Sequence, residues 1–219
     1  MKCEEVKPYY EVLSTRRCSL LIKRILDIIL SLVLLIVLVL PMLIIAILIK
    51  LDSPGPVFYR QERVTTYGKK FRIHKFRTMV NHADRIGTTV TVDNDSRITR
   101  VGSKIRDLRI DEIPQLIDVL VGDMSFVGTR PEATKYVEKY TNEMNATLLL
   151  PAGITSEASI RYKDEAKILD SAGDVDKVYI EYVLPGKMKY NLESIRSFSI
   201  FREIVTLFRT VFAVFGKEY

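Results

Sequence analysis

The sequence predicts an α-rich α+β fold that associates with a membrane. Three observations point to this fold class. One is a run of 22 residues without a charge, from Ile28 to Ile49. Another is a pair of short segments rich in β-forming residues, 57–64 and 70–76. The last is a C-terminal half in which apolar residues recur at helical spacing. A chain of 219 residues has room for one domain with appendages.

The amino-acid composition limits which classes of ligand and metal site are expected for this protein. The net charge of +6 suits nucleotides, nucleic acid or an anionic membrane surface. The basic residues cluster beside the apolar run and form no recognised nucleic-acid motif, so we expect no nucleic-acid partner. The only two cysteines lie near the N-terminus, which predicts no disulfide framework and fits a reducing compartment. His74 and His82 are too few and too far apart for a histidine metal site.

Residues 1–19 are polar and lack the apolar stretch of a cleaved signal, so we predict an N-terminal cytosolic tail or short helix. Residues 20–52 form the membrane element, because about 20 apolar residues suffice for a span. Pro41 divides the run and predicts a bend, since proline removes a helix hydrogen bond. We expect Asp27 to pair with Lys23 and Arg24 at the interface.

Basic residues flank the apolar run on both sides, and positive charge favours the cytoplasmic face. Two topologies follow. In one, the helix enters the membrane, bends and leaves by the same face. In the other, a kinked helix spans the bilayer. The residues alone leave both open.

Residues 53–56, Ser-Pro-Gly-Pro, are a turn that ends the membrane element. Segments 57–64 and 70–76 then read as a hairpin around Tyr67-Gly68. Its basic side chains either face lipid head groups or form a solvated strand face. In the motif that follows, KFRTM, Arg77 beside a hydroxyl is a reasonable phosphate ligand.

Residues 88–100 raise a competing interpretation. A β-rich run leads into Asp93-x-Asp95, which imitates the first motif of aspartate-nucleophile phosphatases. Those enzymes carry Thr or Val two residues after the second Asp, where this chain has Arg97. We therefore favour a loop whose acids pair with neighbouring arginines, followed by a short helix over 102–108.

The stretch 108–131 carries the most informative chemistry. Asp111 and Glu112 stand just before Pro114 and an apolar run, which predicts a helix with Asp111 near its N-cap. Both carboxylates would then lie beside free backbone N–H groups. A glycine-rich turn ending in Arg130 follows the helix. Carboxylates facing an arginine across such a turn suit a divalent metal and a phosphate.

The C-terminal half is predicted to be mainly helical. Residues 151–155 interrupt the pattern, and Pro185-Gly186 closes one helix. The last segment carries a phenylalanine stripe that packs on the domain or lies in the membrane surface. The predicted helices cover 134–150, 164–171, 175–183 and 195–215.

Four stretches together resemble the bacterial sugar transferase family, the monotopic phosphoglycosyl transferases. They cover about residues 20–132 in the family's order, and the C-terminal third resembles the family only through PAGIT and its helical character. The stretches are IKRILD, SPGPVFYRQERV, KFRTM and RIDEIPQLIDVLVGDMSFVGTRP.

The resemblance implies transfer of a sugar-1-phosphate from a UDP-sugar to undecaprenyl phosphate, with Mg²⁺ and release of UMP. It implies that Asp111 is the nucleophile, forms an aspartyl phosphosugar and meets the metal, and that Glu112 orients it or assists the second step. Arg106 and Arg130 match family arginines and would hold substrate phosphates. Lys75 and Arg77 of the KFRTM stretch complete the predicted phosphate-binding set.

The resemblance also implies a re-entrant helix bent at Leu40-Pro41, on the cytoplasmic face of the bacterial inner membrane. The cytosolic catalytic domain would then cover 53–185 and a C-terminal amphipathic helical segment 186–219. Membrane lipid is an implied partner, and a homodimer through the C-terminal helices stays open. The rival interpretation is a non-catalytic, single-pass membrane-anchored binding or assembly module.

The sequence departs from the family pattern at four places. Leu40 replaces the serine before the bend proline, and Thr65 replaces a glycine. Thr129 replaces the proline of a GPRP motif, and Ala152 adds a residue to a PGITG turn that also lacks its second glycine. The last three lie in turns near the predicted phosphate site, so we expect sugar choice or site shape to be affected.

Overall fold

The structure, a computed structural model, describes residues 3–81, 83, 95–163, 165 and 174–214. His82, Asp93 and nearly all of the helix predicted over 164–171 lie outside these residues. The described part is helix-rich, with one long apolar N-terminal helix and a small α/β domain.

Nine α-helices and four strands are described, and short 3-10 or π turns join some of them. The helices are α1 (Lys7–Thr15), α2 (Arg17–Asp52), α3 (Arg100–Asp107), α4 (Gln115–Val121), α5 (Thr134–Val137), α6 (Glu157–Arg161), α7 (Val175–Val178), α8 (Leu184–Arg196) and α9 (Ile200–Val214). The strands are β1 (Phe58–Val64), β2 (Lys70–Phe76), β3 (Met124–Val127) and β4 (Ala152–Thr155). The turns are Glu4–Val6, Thr66–Gly68, Ile110–Glu112, Met144–Leu149 and Tyr179–Val183.

Helix α2 has 36 residues and is long and apolar enough to cross a membrane by length and composition. It ends at Asp52, where the predicted Ser-Pro-Gly-Pro turn begins. The helix continues through Pro41, and the bend predicted there stays a prediction. One stripe of α2 packs on the domain on both sides of the proline, at Leu38 and at Ile49. The opposite face exposes large aliphatic side chains along its length.

Polar groups attach the N-terminal half of α2 to the domain. Arg24 donates to two carbonyls in the last turn of α4, at 2.6 and 2.8 Å, where the helix dipole favours a cation. Asp27 accepts a hydrogen bond from the Phe126 N–H at 3.2 Å, and Lys23 pairs with Glu203 of α9. The expected pairing of Asp27 with Lys23 and Arg24 is therefore wrong, because groups of the domain engage each of the three.

Strands β1 and β2 form the predicted antiparallel hairpin, with Phe58 opposite Phe76 and Val64 opposite Lys70. In its turn, Tyr67 and Gly68 have positive φ angles of 56° and 79°. Strands β3 and β4 form a parallel pair, which we did not predict from the sequence. Four-residue strands leave too little alternation for pattern reading.

Two of the family-pattern departures meet at the junction of the hairpin and the parallel pair. The Thr65 hydroxyl donates to the Asp123 carbonyl at 2.7 Å and accepts from the Ala152 N–H at 3.1 Å. Thr65 is buried, so its hydroxyl satisfies two backbone groups that would otherwise lack partners. Thr65 and Ala152, which both differ from the family pattern, are therefore hydrogen-bonded to each other.

The helix predicted over 134–150 is wrong. Only α5 is helical at its start, and a 3-10 turn covers Met144–Leu149. The apolar residues of this segment belong to two different clusters. Tyr136 packs with Tyr179, whereas Leu149 packs with Tyr9 of α1. One straight helix could not reach both clusters, so tertiary packing overrides the periodic pattern.

Two other helix ends differ from prediction. Pro185-Gly186 was expected to close a helix but lies in the first turn of α8, where proline is tolerated because no N–H is needed. The predicted boundary between 185 and 186 falls inside that helix. The predicted final helix is divided at 197–199, because Phe198 turns into the core while α9 starts at Ile200.

The residues predicted as an N-terminal tail, 1–19, include α1. Its Tyr9 and Leu13 are buried against Leu192 and Phe198. The Tyr9 hydroxyl donates to Glu143 at 2.5 Å. The N-terminal segment therefore contributes to the same core as α8.

Candidate active site

Asp111 and Glu112 lie in the 3-10 turn Ile110–Glu112, between α3 and α4. The expected N-cap position is wrong, because α4 begins at Gln115 with Pro114 as its N-cap. Arg109 separates the turn from α3 by adopting a left-handed conformation, with φ of 54°. Non-glycine residues rarely take this conformation, so the surrounding contacts must hold it.

Glu112 is held by two cations from different elements. Lys75, near the end of β2, donates to Oε1 at 2.7 Å, and Arg130, after β3, donates to the same oxygen at 2.5 Å. A second Arg130 nitrogen lies 3.4 Å from Oε2. Burial by itself would raise the pKa of Glu112, but Arg130 and Lys75 together hold it below its usual range. Glu112 is therefore a fixed, ionised group that joins β2 to the Arg130 turn.

Asp111 has a different environment. Among the residues that the structure describes, none forms a hydrogen bond or salt bridge with its carboxylate. Burial raises the pKa of Asp111 and the neighbouring Glu112 raises it further, whereas Lys75, Arg106 and Arg130 oppose the shift. Of the two acids, Asp111 is thus the one whose oxygens remain available to a ligand.

Asp111 lines a cavity of about 400 Å³, hereafter the basic cavity. It is the single acid among the described residues that line this cavity. Such a concentration of positive charge beside one carboxylate suits a polyphosphate ligand. Six basic residues line the basic cavity: Arg63, Lys75, Arg77, Arg97, Arg106 and Arg130.

The structure brings together the predicted phosphate-binding residues Lys75, Arg77, Arg106 and Arg130 around this cavity. Arg77 also has a structural role. Its guanidinium donates to the carbonyls of Pro54 and Ser53, each at 2.7 Å, and so closes the C-terminal end of α2. Its part in phosphate binding stays a prediction.

Sequence reasoning missed Arg63 and Arg97 as cavity residues. Strand alternation was the available signal for the former, because Tyr59, Gln61 and Arg63 fall on one face of β1 and all line the cavity. The position of Arg97 in the cavity wall instead depends on its ion pair with Asp95, the pairing predicted for this loop. Arg97 bonds Asp95 through Nε at 2.9 Å and through a terminal nitrogen at 2.6 Å.

A buried pair behind the site also escaped prediction. Asp118 of α4 accepts from the His74 backbone N–H at 2.8 Å, and its other oxygen lies 2.6 Å from His74 Nδ1. Asp118 is almost fully buried, so both oxygens need partners. Because His74 precedes Lys75, this pair fixes the end of β2 that presents Lys75 to Glu112.

A second cavity, of about 330 Å³, lies between α2 and α9. We call it the α2–α9 groove. Most of its lining is apolar and includes Leu38 and Val211. Glu112 and Arg130 belong to this lining as well. Arg130 therefore borders both cavities, whereas Asp111 borders the basic one and Glu112 the groove.

The carboxylates of this region can hold the expected Mg²⁺ only together with ligands from the substrate. Across the described ranges, no group of three or more His, Cys, Asp or Glu residues could form a metal site. Mg²⁺ often binds through one or two carboxylates and takes its other ligands from substrate phosphates and water. Asp111 fits that mode, because its carboxylate makes no ion pair in the described structure and faces a cavity suited to phosphates.

Comparison with known proteins identifies the family. Residues 18–217 match the model of a family described as bacterial sugar transferases. The chain belongs to the bacterial sugar transferase family. The match covers most of the chain, including nearly all of α2 and the residues that line both cavities. It also covers the C-terminal third, where the sequence resembles the family only through PAGIT and its helical character.

Curated relatives carry matching names. A UDP-N-acetylgalactosamine-undecaprenyl-phosphate N-acetylgalactosaminephosphotransferase from Aeromonas hydrophila is 36% identical over 193 residues, 87% of this chain and 43% of that protein. UDP-glucose:undecaprenyl-phosphate glucose-1-phosphate transferases from Escherichia coli and Caulobacter vibrioides are each 36% identical. The aligned parts are 90% of this chain and 41% of the Escherichia coli protein, and 87% and 68% for Caulobacter vibrioides. The chain thus spans about two fifths of the length of the first and second of these relatives.

Proposed function

We propose that this protein transfers a sugar-1-phosphate from a UDP-sugar to undecaprenyl phosphate and releases UMP, as a first step in polysaccharide or glycoconjugate assembly. One observation carries the proposal. An acid with no ion-pair partner among the described residues, Asp111, lines a cavity whose other charged lining residues are six cations. The names of the relatives support the substrate classes.

In the proposed first step, an Asp111 carboxylate oxygen attacks the phosphorus that bears the sugar. The pyrophosphate P–O bond breaks, and UMP leaves with the bridging oxygen and its electron pair. A carboxylate is a modest nucleophile but needs no separate base once it is ionised. Lys75, Arg106 and Arg130 lower the repulsion between the carboxylate and the anionic phosphates.

In the second step, a phosphate oxygen of the lipid acceptor attacks the same phosphorus and expels the Asp111 carboxylate. The product is a polyprenyl diphosphate sugar. Glu112 keeps Lys75 and Arg130 in place through both steps, because its two salt bridges link β2 to the turn that carries Arg130. Asp111 and substrate phosphates would hold Mg²⁺, which when bound would neutralise phosphate charge.

The contacts of α2 support the re-entrant topology. Before Pro41, Asp27 binds the backbone of β3, and after it the Asp52 carboxylate accepts from the Val101 N–H at 3.0 Å. Both ends of α2 therefore rest on the same folded unit, which favours a helix that enters and leaves by the cytoplasmic face. Cys18, which is exposed at the start of α2, offers a test with a membrane-impermeant maleimide. Labelling of Cys18 and of a Lys70→Cys variant from opposite sides of the membrane would exclude this topology.

The reaction is tested with the purified full-length protein in lipid nanodiscs and a panel of UDP-sugars. We expect UMP release, and an intact mass raised by one sugar phosphate after a quench in the absence of lipid acceptor. Asp111→Asn should abolish both signals, because the amide cannot form the intermediate. Asp107→Asn is the matched control, since Asp107 is exposed on α3 and lines neither cavity.

Undiminished UMP release by the Asp111→Asn variant would contradict the nucleophile. Absence of UMP release by the wild-type protein with every UDP-sugar would contradict the function and favour a non-catalytic assembly module.

A further inference from the structure

The α2–α9 groove combines an apolar body with a cationic end. Its body is formed by aliphatic side chains of the two helices. The charged lining residues are Arg109, Arg130, Lys163 and Glu112, and Glu112 is already neutralised by its ion pairs with Lys75 and Arg130. The apolar lining residues from the two helices are Leu34, Leu38, Leu207 and Val211.

The groove adjoins an exposed apolar surface. Val37 follows Leu34 by nearly one turn of α2 and Phe208 follows Leu207 on α9, and both are about two-thirds exposed. An apolar chain could pass from the bilayer into the groove without crossing a polar surface. The groove therefore suits an amphiphile whose charged end is anionic.

Arg109 has an unusual backbone conformation beside the candidate active site. It is exposed, has the left-handed φ of 54°, and stands two residues before Asp111. One guanidinium nitrogen donates to the Lys163 carbonyl at 3.3 Å, so the side chain reaches the segment after α6, which also lines the groove. Strained non-glycine residues cluster at active sites and ligand clamps, where the surrounding structure holds them in place.

We propose that the α2–α9 groove binds the first isoprene units of the lipid acceptor and that Arg109 binds its phosphate. This proposal rests on the proposed function. A phosphate monoester carries nearly two negative charges at neutral pH, which matches the cations at this end of the groove. Guanidinium binds phosphate with two parallel hydrogen bonds, which would fix its orientation toward Asp111.

The donor and the acceptor then occupy different cavities. The UDP-sugar fills the basic cavity, the lipid fills the groove, and Arg130 contacts both because it lines both. Arg109 lines only the groove. Its loss should therefore affect the acceptor step and leave formation of the phosphosugar adduct on Asp111 intact.

The two half-reactions separate these effects. The readouts are adduct formation without acceptor, followed by intact mass, and KM for polyprenyl phosphate at saturating UDP-sugar. We expect Arg109→Gln to raise that KM about tenfold or more, the usual cost of a lost charge-assisted phosphate contact. Val211→Trp should raise it similarly by filling the groove, since Val211 is half-exposed and not a core residue.

Matched controls lie nearby. Lys104→Gln removes an exposed cation of α3, and Ile204→Trp enlarges an α9 residue that lines neither cavity. Both should retain the wild-type KM. If Arg109→Gln lowers the melting temperature, Arg109→Lys provides the second variant, and it should recover part of the acceptor affinity because it keeps the charge.

A diazirine-bearing polyprenyl phosphate should cross-link to α9, and unlabelled polyprenyl phosphate should compete. Competition by phosphatidylglycerol to the same extent would assign the groove to bulk lipid and overturn the proposal. A KM within about twofold of the wild-type value in both Arg109→Gln and Val211→Trp would also overturn the proposal. Adduct formation on Asp111 in these variants would then still support the proposed function. Failure of the wild-type protein to form the adduct would instead count against the proposed function.

Discussion

The two cavities that meet at Arg130 differ in almost every property. The basic cavity is lined by six cations and Asp111, whereas the α2–α9 groove is mainly aliphatic with its charges at one end. Two consecutive residues face these different surroundings. Asp111 borders the basic cavity without a salt bridge to any described residue, and Glu112 borders the groove with two.

The difference shows how one short turn can give two carboxylates separate roles. The pKa of Asp111 is raised, chiefly by burial, whereas cations lower that of Glu112 although burial opposes them. A buried carboxylate with two ion pairs is held in place, and one without them is left for a ligand. The roles are therefore set by neighbours from β2 and the Arg130 turn rather than by the acids themselves.

Among substitutions of residues other than the proposed nucleophile, the largest effect is expected from Arg130→Ala, because Arg130 lines both cavities. The substitution removes a cation from donor and acceptor sites and leaves Glu112 with Lys75 alone. We expect both half-reactions to fall by about 100-fold or more, the usual cost of one lost electrostatic contact in a transition state. Arg130→Lys should retain part of each rate. The two rates are measured as adduct formation and as transfer to lipid. A loss confined to one half-reaction would show that Arg130 does not serve both cavities.

The next effect concerns the turn that carries Arg130. A Cβ added to Gly153 would lie 2.2 Å from the Gly128 nitrogen, so β4 and the Arg130 turn must separate. Gly153→Ala should lower the free energy of unfolding by about 1–3 kcal/mol, typical of overpacking, and should slow both half-reactions. Thermal unfolding and initial rates test this. Gly68→Ala is the comparison, because its φ of 79° is unfavourable but its surroundings are open, so we expect stability alone to fall.

The smallest effect is expected in the pH dependence of stability, and it involves a residue of the basic cavity only. Arg97 lines that cavity and holds the pKa of Asp95 down to about 2 through hydrogen bonds. An unfolded aspartate has a pKa of about 3.9, so the pair stabilises the fold above about pH 4 and is lost toward about pH 2. We expect Asp95→Asn to be less stable at pH 7 by about 1 kcal/mol or less, with the difference shrinking as pH falls. A difference in melting temperature that is constant between pH 7 and pH 3 would contradict this.

Several elements could be predicted because local chemistry decides them. The uncharged run that forms α2, the hairpin around Tyr67-Gly68 and the short α3 follow from hydrophobicity, β-forming residues and turn residues. The single helix expected over 134–150 failed, since its apolar residues pack into two separate clusters. Periodicity describes one face of one helix and does not reveal that neighbouring turns face different cores.

The site shows the same division. The motifs of the sequence identified Asp111, Glu112, Lys75, Arg106 and Arg130, and these do gather around one region. The sequence did not reveal Arg63, Arg97, the His74–Asp118 pair or the contact that joins Thr65 to Ala152. Each of these depends on residues brought together from distant parts of the chain.

By itself, the sequence determined the family, the apolar helix and the acidic pair, because these are written in consecutive residues and their spacing. Only the tertiary structure decided which acid is engaged and which is available, and that a second cavity opens between α2 and α9. Both results depend on distances between residues far apart in sequence, since salt bridges act over a few ångströms and a groove exists only once two helices pack side by side.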